Sequence, residues 1–308
     1  MDFSKAIRGV SIFLVLVHFN LGNLCLDARK LTSLYQPPTM AITYHNGALL
    51  AGDLPVSILW YGTFSPAQKS TIVDFFLSLN RQKDQLHSVP QWWNQLQTYM
   101  RKAGKRETDI VLSKQVSDIN CSMGKILKKS HMTELAQGMN SKPGGLALVL
   151  TSNDVAVEGF CMSNCGFHGS DTKQNLAFIW VGNSVSQCPG QCAWPFHQPI
   201  YGPQTAPLGA PNGDVGIDGM IVNIASLLAG AVTNPFGNGY FLGSADGLFE
   251  VASACTGVYG KGAYPGYAGE LLVDPSTGAS YNALGVNERK YLLPALFDPL
   301  TSQCSTIL

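Results

Sequence analysis

The sequence predicts a single α/β domain, with a mixed sheet, a buried central helix and an irregular lobe braced by disulfides. Three observations lead to this fold class. Apolar residues recur with helical spacing between positions 211 and 235. Uninterrupted apolar runs at residues 145–150 and 175–181 are typical of strands buried on both faces of a sheet. Eight cysteines are present, four of them between positions 161 and 192.

The first half of the chain is expected to alternate strands and helices. Residues 41–45 and 49–50 predict a hairpin, because Asn46-Gly47 is a turn signal of the type I′ kind. Ser65 is expected to cap the helix that follows it. The other predicted strands are residues 56–61, 110–112, 145–150 and 175–181. The predicted helices are residues 66–80, a second one that begins at Val89, and residues 133–139 with Thr133 as cap.

The central helix is the most strongly patterned element. Asp218 is predicted to cap its N-terminus, because an Asx oxygen accepts hydrogen bonds from the free amides of the first turn. Asn234-Pro235 ends it. A helix that is apolar on nearly every side belongs in a core. One narrow polar stripe interrupts it, and this predicts either a seam for close packing or the wall of a cleft. The stripe consists of Asn223, Ser226, Gly230 and Thr233. These four residues are candidates for lining a cleft, together with two acid–base groups, His45 and Asp214.

The N-terminus has the pattern of a signal peptide. Lys5 and Arg8 precede an apolar run at residues 10–17, which is too short to span a membrane. Cleavage after Ala28 is expected, so that residues 1–28 are removed and residues 29–308 form the mature domain. No later segment predicts a membrane span. Charged residues make up only 13% of the chain and the net charge is zero, which excludes the broad basic surface of a nucleic-acid-binding protein.

Cysteine usage agrees with export, because six cysteines of the mature chain are expected to form three disulfides in an oxidising compartment. The candidates are Cys161, Cys165, Cys188, Cys192, Cys255 and Cys304. Six cysteines allow 15 pairings, so the connectivity stays open, although the last two are expected to be partners. Cys121 is left over. It lies within the sequon that makes Asn120 a glycosylation candidate. The same two Cys pairs, with His168 and His197, could instead hold zinc, but the export signal favours disulfides.

Several longer motifs resemble a known plant family. The chain reads Tyr-His-Asn-Gly at residues 44–47, Gln-Cys-Pro-Gly-Gln-Cys-Ala-Trp-Pro-Phe-His-Gln-Pro at 187–199, and Gly-Lys-Gly-Ala-Tyr-Pro-Gly-Tyr at 260–267. In these motifs, and through residues 210–219 and 232–237, it resembles the EXORDIUM or phosphate-induced protein family. The resemblance implies export to the apoplast and cell wall, and a link to cell expansion and brassinosteroid-responsive growth. It implies no settled catalytic activity.

The order of the predicted elements is also similar to zinc metalloproteases of the zincin kind, which place two zinc ligands four residues apart on one helix. Here Ser226 and Gly230 occupy those positions, and neither can bind zinc. The prediction is therefore a degenerate zincin-like fold that holds no metal and no other cofactor. A serine hydrolase is not indicated, because the G-x-S-x-G motif is absent. Asp214 and Asp218 could form a glycosidase pair, but capping and turn formation explain their spacing better.

Aromatic residues in loops keep a binding role open. They can stack on sugars, anchor a partner protein, or pack within the irregular lobe. They are Trp194, Phe196, Tyr201, Tyr240, Tyr259, Tyr264 and Tyr267.

The predicted function is that of a secreted apoplast or cell-wall protein that supports cell expansion and growth without catalysis. Its expected partner is a wall polysaccharide or an apoplastic or receptor protein. The alternative is a cell-wall hydrolase acting on glycan or peptide. A His, Asp, Glu or Cys cluster beside Ser226 and Gly230 would favour the alternative.

Overall fold

The computed structural model describes residues 41–81, 85–139, 144–162, 164–243 and 248–308, which belong to one unit spanning 41–308. The predicted signal peptide, residues 1–28, lies outside the described residues and stays a prediction. The strands are β1 (Thr43–Tyr44), β2 (Gly52–Tyr61), β3 (Thr108–Asp118), β4 (Ile126–Leu127), β5 (Leu146–Thr151), β6 (Ala156–Val157), β7 (Gly166–Asp171), β8 (Leu176–Gly182), β9 (Tyr240–Phe241), β10 (Leu272–Val273), β11 (Ser280–Tyr281), β12 (Ala283–Leu284), β13 (Lys290–Tyr291), β14 (Leu296–Asp298) and β15 (Gln303–Ser305). The helices are α1 (Pro66–Leu79), α2 (Val89–Lys102), α3 (Lys129–Gly138), α4 (Pro189–Cys192) and α5 (Val215–Thr233), with 3₁₀ turns at Ser253–Cys255 and Val286–Glu288.

A five-stranded mixed sheet forms the centre of the fold. Its strand order is β3-β2-β5-β8-β7, with β7 antiparallel to β8 at one edge and the other strands parallel. Every residue of β5 and β8 is buried, because a strand of a parallel sheet is covered on both faces. The predicted mixed sheet is confirmed. The edge strand β7 was not predicted, since its half-buried sequence has no apolar run.

Helices cover both faces of this sheet. Side chains alternate between the two faces along a strand. Leu148 and Leu150 of β5 belong to the core that the sheet forms with α1, α2 and α5. Ala147 and Val149 of the same strand belong to a second core that includes side chains of α3. The arrangement is therefore a three-layer α/β structure.

The predicted helix starts hold for α1 and α2 but not for α3. The Ser65 side chain accepts from the amide of Gln68, and the Gln68 side chain accepts in return from the amide of Ser65, which forms a capping box. The helix α3 begins at Lys129 rather than after Thr133. The additional turn carries Met132 into the core, where it is fully buried, and this burial favours the longer helix.

The hairpin predicted across Asn46-Gly47 does not form. The strand β1 pairs antiparallel with β9 instead, and Tyr44 stacks on Tyr240 with ring centroids 4.8 Å apart. Asn46 does adopt the left-handed conformation of a turn, with φ of 62°. Gly47 then packs so closely against Asn238 that a Cβ at this position would overlap it. The turn signal was correct, but a distant segment supplies the partner strand.

The central helix α5 begins four residues earlier than predicted. Asp214, not Asp218, is its N-cap, and its Oδ1 accepts from the amide of Ile217 at 3.0 Å. Asp218 lies one turn inside the helix and is buried. Its two carboxylate oxygens accept from the amide and the side chain of Asn212, so the loop before the helix uses this carboxylate as an anchor.

The helix α5 is a core helix. Among the described residues it has the length and hydropathy of a membrane span, but 78% of its most apolar window is buried inside the protein. Gly219 lets the chain around Ala193 approach closely, since a Cβ at 219 would overlap Ala193. We call residues 183–214 and 234–308 the irregular lobe, because their described residues form α4, 3₁₀ turns and strands of two or three residues. The close approach at Gly219 brings this lobe against the N-terminal half of the helix.

Three disulfides brace the irregular lobe: Cys161–Cys188, Cys165–Cys192 and Cys255–Cys304. The first two lie side by side, with the sulfurs of Cys188 and Cys192 3.7 Å apart. Together they fasten α4 to the segment before β7. The third fastens the 3₁₀ turn Ser253–Cys255 to β15. A small hydrophobic cluster containing Phe196, Val222 and Tyr259 joins the lobe to α5.

Candidate functional site

The irregular lobe contains an open groove with a volume of about 510 Å³. Two loop segments form its opposite walls, one from the region of α4 and one that follows the 3₁₀ turn Ser253–Cys255. We call it the aromatic groove. It is lined by Gly190, Gln191, Trp194, Pro199, Ile200, Tyr201, Pro203, Thr256, Gly257, Val258, Ala263, Tyr264, Pro265 and Gly266.

The first wall is fixed by covalent and hydrogen bonds. Gln191 lies on α4, between the two disulfide cysteines 188 and 192. The loop beyond it folds back, so that the amide of Ile200 donates to the carbonyl of Gly190 at 3.3 Å. The side chain of Gln204 donates to the carbonyls of Pro199 and Gly202. These hydrogen bonds connect the loop that presents Tyr201 to α4 and to itself.

The second wall starts next to the third disulfide. Thr256 directly follows Cys255, which is bonded to Cys304. Further along, Tyr264 and Tyr267 exchange both backbone hydrogen bonds, at 3.1 and 2.8 Å, and form a tight turn. Gly266 in this turn has φ of 90° and packs against Pro203 of the first wall. A side chain there would overlap the proline, so the glycine allows the two walls to meet.

The groove presents aromatic rings and no charge. Tyr201 is 85% exposed and Tyr264 is 64% exposed. Trp194 is half-buried and leans on Tyr259, with ring centroids 5.8 Å apart. Burial raises the pKa of Tyr259, so the ring that supports Trp194 stays uncharged. None of the described lining residues is charged, and Gln191 supplies a neutral carboxamide.

The loop aromatics named from the sequence therefore divide into two groups. Trp194, Tyr201 and Tyr264 line the groove, and Tyr267 is exposed and pairs with Tyr264 at 5.1 Å between ring centroids. Phe196, Tyr240 and Tyr259 are buried packing residues. Sequence reasoning missed the polar residues of the groove, Gln191 and Thr256, because nothing in their local pattern indicates a ligand.

The six candidate cleft residues do not line one cleft. Thr233 is fully buried and donates to the carbonyl of Ala229. Asn223 donates to the carbonyls of Cys192 and Gly219, and thereby ties α5 to α4. Ser226 donates to the carbonyl of Val222, one turn back in its own helix. The stripe on α5 is thus mainly a packing seam.

His45 and Asp214 lie away from that seam. His45 is exposed beside β1 and stacks on Phe241, with ring centroids 3.8 Å apart. Asp214 is the N-cap of α5 and also accepts from the side chain of Gln68 at 2.9 Å. Neither has the surroundings of a catalytic group, and both are explained by the fold.

Gly230 is the one stripe position beside a pair of acid–base groups. Nε2 of His168 lies 2.8 Å from Oε2 of Glu250, and Asn234 donates to the other carboxylate oxygen at 2.7 Å. A Cβ at residue 230 would overlap that carboxylate and would lie 3.1 Å from Nε2 of His168. The absent side chain therefore makes room for this pair, which the sequence did not place here.

Asp218 has the most perturbed carboxyl group near α5. Burial raises its pKa to about 7, while the hydrogen bonds from Asn212 act in the opposite direction. Asn212 also donates to the carbonyl of Lys290 at 2.9 Å. The group is enclosed by its own loop, so its role is to join the helix to the C-terminal segment.

Asn120 is exposed in a turn, and Ser122 of the same sequon donates to Asp118 at 2.6 Å. Glycosylation of Asn120 stays a prediction. Cys121 is buried and is not part of a disulfide. Within the described part of the chain, no group of three His, Cys, Asp or Glu side chains is placed to hold a metal ion.

Comparison with known proteins identifies the family. A profile described as "Phosphate-induced protein 1 conserved region" matches residues 42–307. "Protein PHOSPHATE-INDUCED 1" of Nicotiana tabacum is 52% identical over 97% of this chain and 98% of its own. "Protein EXORDIUM-like 1" of Arabidopsis thaliana is 50% identical over 94% and 96%. "Protein EXORDIUM" of the same plant is 49% identical over 96% and 99%.

Fold and site define an α/β protein with a disulfide-braced groove lined by aromatic rings. The chain belongs to the phosphate-induced protein 1 family, whose members include EXORDIUM. No solved structure matches it. The zincin-like interpretation therefore stays a prediction.

Proposed function

We propose that this chain is a secreted protein of the apoplast and cell wall that supports cell expansion, including brassinosteroid-responsive growth. The support comes from its family, whose names refer to phosphate induction and to EXORDIUM. The N-terminal signal pattern and the three disulfides suit an oxidising extracellular compartment.

The protein acts by binding a wall component, and the observation that carries this is the aromatic groove. Its walls are anchored by disulfides, so little ordering is needed when a ligand enters, which favours affinity. It exposes the rings of Tyr201 and Tyr264 to solvent. Concave sites with a few polar groups among apolar ones are typical of ligand binding. The described residues that line the groove include no pairing of an acid with a base, which hydrolysis would require.

The test compares retention and growth in plant cells that secrete the tagged full-length chain. The wild type is expected in the wall fraction, and it should restore elongation in cells that lack a family member. The double variant Tyr201→Ala, Tyr264→Ala should be secreted but released from the wall, with reduced elongation. Phe249→Ala, which removes an aromatic ring that is 49% exposed outside the groove, is the matched control. A wild-type protein that stays inside the cell contradicts the proposal.

A second candidate function is a wall hydrolase acting on glycan or peptide. The pair His168–Glu250 beside Gly230 favours it, because a carboxylate that orients a histidine is a recurring general-base arrangement. Purified protein would then release reducing ends or free amines from wall polymers. That activity should disappear in Glu250→Gln and persist in the double tyrosine variant.

A further inference from the structure

We infer that the aromatic groove takes an uncharged polysaccharide, whose sugar rings stack on Tyr201 and Tyr264. This inference rests on the proposed function, since it names the wall component that the groove binds. It follows from three properties of the groove: its shape, its exposed ring faces and its lack of charge.

The shape suits a narrow chain. A volume of about 510 Å³ lies within the range of small-ligand sites. A stable protein partner covers about 800 Å² on each side and usually meets a broader surface. The groove is open to solvent, so a polymer can place a short stretch inside and continue beyond it. Gly266 and Pro203 bring the walls together on one side and thereby limit the width.

The ring faces suit sugars. Each wall contributes one strongly exposed tyrosine, Tyr201 at 85% and Tyr264 at 64%. The face of an aromatic ring carries partial negative charge, and the C–H groups on the flat side of a pyranose carry partial positive charge. Stacking therefore pairs complementary surfaces. The phenolic hydroxyls can in addition exchange hydrogen bonds with sugar hydroxyls.

The charge pattern selects against acidic polymers. The polar side chains of the lining, Gln191 and Thr256, are neutral and can donate to or accept from hydroxyl groups. A uronate carboxylate that entered the groove would lose water without meeting a cation, which costs free energy. Lys261, two positions before Ala263, lies outside the lining. An uncharged chain incurs no such cost.

The experiment measures binding of the purified mature chain by titration calorimetry. The probes are cellohexaose, a neutral xyloglucan oligosaccharide, an oligogalacturonate of similar length and a proline-rich peptide, which is the other ligand type that docks in aromatic grooves. We expect binding of a neutral oligosaccharide, equal at low and high salt because no charges are paired, and no binding of the other two.

Five variants locate the binding. Tyr201→Ala and Tyr264→Ala should each weaken it about tenfold, the loss that corresponds to 1.4 kcal/mol. Tyr264→Phe should bind almost as the wild type, since the ring is kept. Lys261→Gln and Phe249→Ala, both at exposed positions outside the lining, are the controls and should not change binding. All these side chains are exposed, and unchanged melting temperatures will show that the fold is intact.

The possible failures are distinguishable. Salt-sensitive binding of oligogalacturonate that is lost in Lys261→Gln overturns the inference but leaves wall binding in place. A preference for the proline-rich peptide does the same. Neutral-glycan binding that survives both tyrosine-to-alanine changes places the site elsewhere and also overturns it. A wild type that is not retained by intact wall material refutes the proposed function itself.

Discussion

The buried carboxyl of Asp218 should make the stability of the protein depend on pH in a defined window. Burial raises its pKa from 3.8 to about 7 in the folded state, while the unfolded chain keeps the ordinary value. Between about pH 4 and pH 7, this carboxyl is therefore protonated in the folded state and ionised in the unfolded state. The stabilisation is fully present below about pH 4, and it is lost as the pH rises through 7.

The magnitude follows from the two pKa values. At 1.36 kcal/mol per pH unit, the difference corresponds to about 4 kcal/mol, an upper limit that relaxation of the loop around Asn212 will reduce. Opposite contributions come from Asp154 and Asp274, whose pKa values are lowered, the first mainly by the Lys125 side chain and the second mainly by that of Lys290. Those contributions are lost only as the pH falls below about 4. They therefore change outside the pH range in which the contribution of Asp218 changes.

The assay is urea unfolding of the oxidised mature protein at several values between pH 4 and pH 8. The free energy of unfolding should decrease across this range in the wild type. Asp218→Asn cannot titrate, so its curve should be flatter by the contribution of Asp218, whereas Asp53→Asn, at an exposed site, should follow the wild type. If the free energy of unfolding depended on pH equally in the wild type and in Asp218→Asn, the pKa of Asp218 would not be raised by burial, and the reasoning would be refuted.

Three other predictions concern packing, cystines and export. Gly230→Leu should destabilise the protein by about 1–3 kcal/mol or more, because the new side chain overlaps the carboxylate of Glu250 and the imidazole of His168. The control, Ser226→Ala, should change the free energy of unfolding by no more than about 0.5 kcal/mol. Equal urea midpoints for the two variants would contradict this prediction. Thiol titration of the denatured, unreduced mature chain should find one thiol, that of Cys121, and a count of seven would exclude the disulfides. Mass spectrometry of secreted protein should find a chain that begins at residue 29, and intact chain from Met1 would show that no signal peptide is removed.

The local elements were predictable where a residue pattern has a local cause. The apolar runs of β5 and β8 reflect burial on both faces, and Ser65-Pro66 has the chemistry of a helix start. Asp214 and Asp218 were harder to tell apart, because both are good caps four residues apart. The burial of Asp218 against Asn212, which decides between them, is a tertiary contact that no local pattern contains.

The long-range features could not be predicted for the same reason. The partner of β1 is β9, and the turn at Asn46-Gly47 gave no information about it. The aromatic groove joins residues 190–203 to residues 256–266, so its composition depends on how distant loops meet. The sequence placed Gly230 on the polar stripe of the central helix but did not show what fills the space beside it. His168 and Glu250, which fill that space, come from two other segments.

The paired disulfides at α4 also determine how the protein would carry mechanical load. Force applied to a ligand bound beside Gln191 would be transmitted through the disulfides of Cys188 and Cys192 to the segment that leads into β7. From there the force passes into six residue pairs between β7 and β8. Two covalent bridges in parallel thus connect the groove to the sheet, so tension would be resisted by the sheet before the loops could extend.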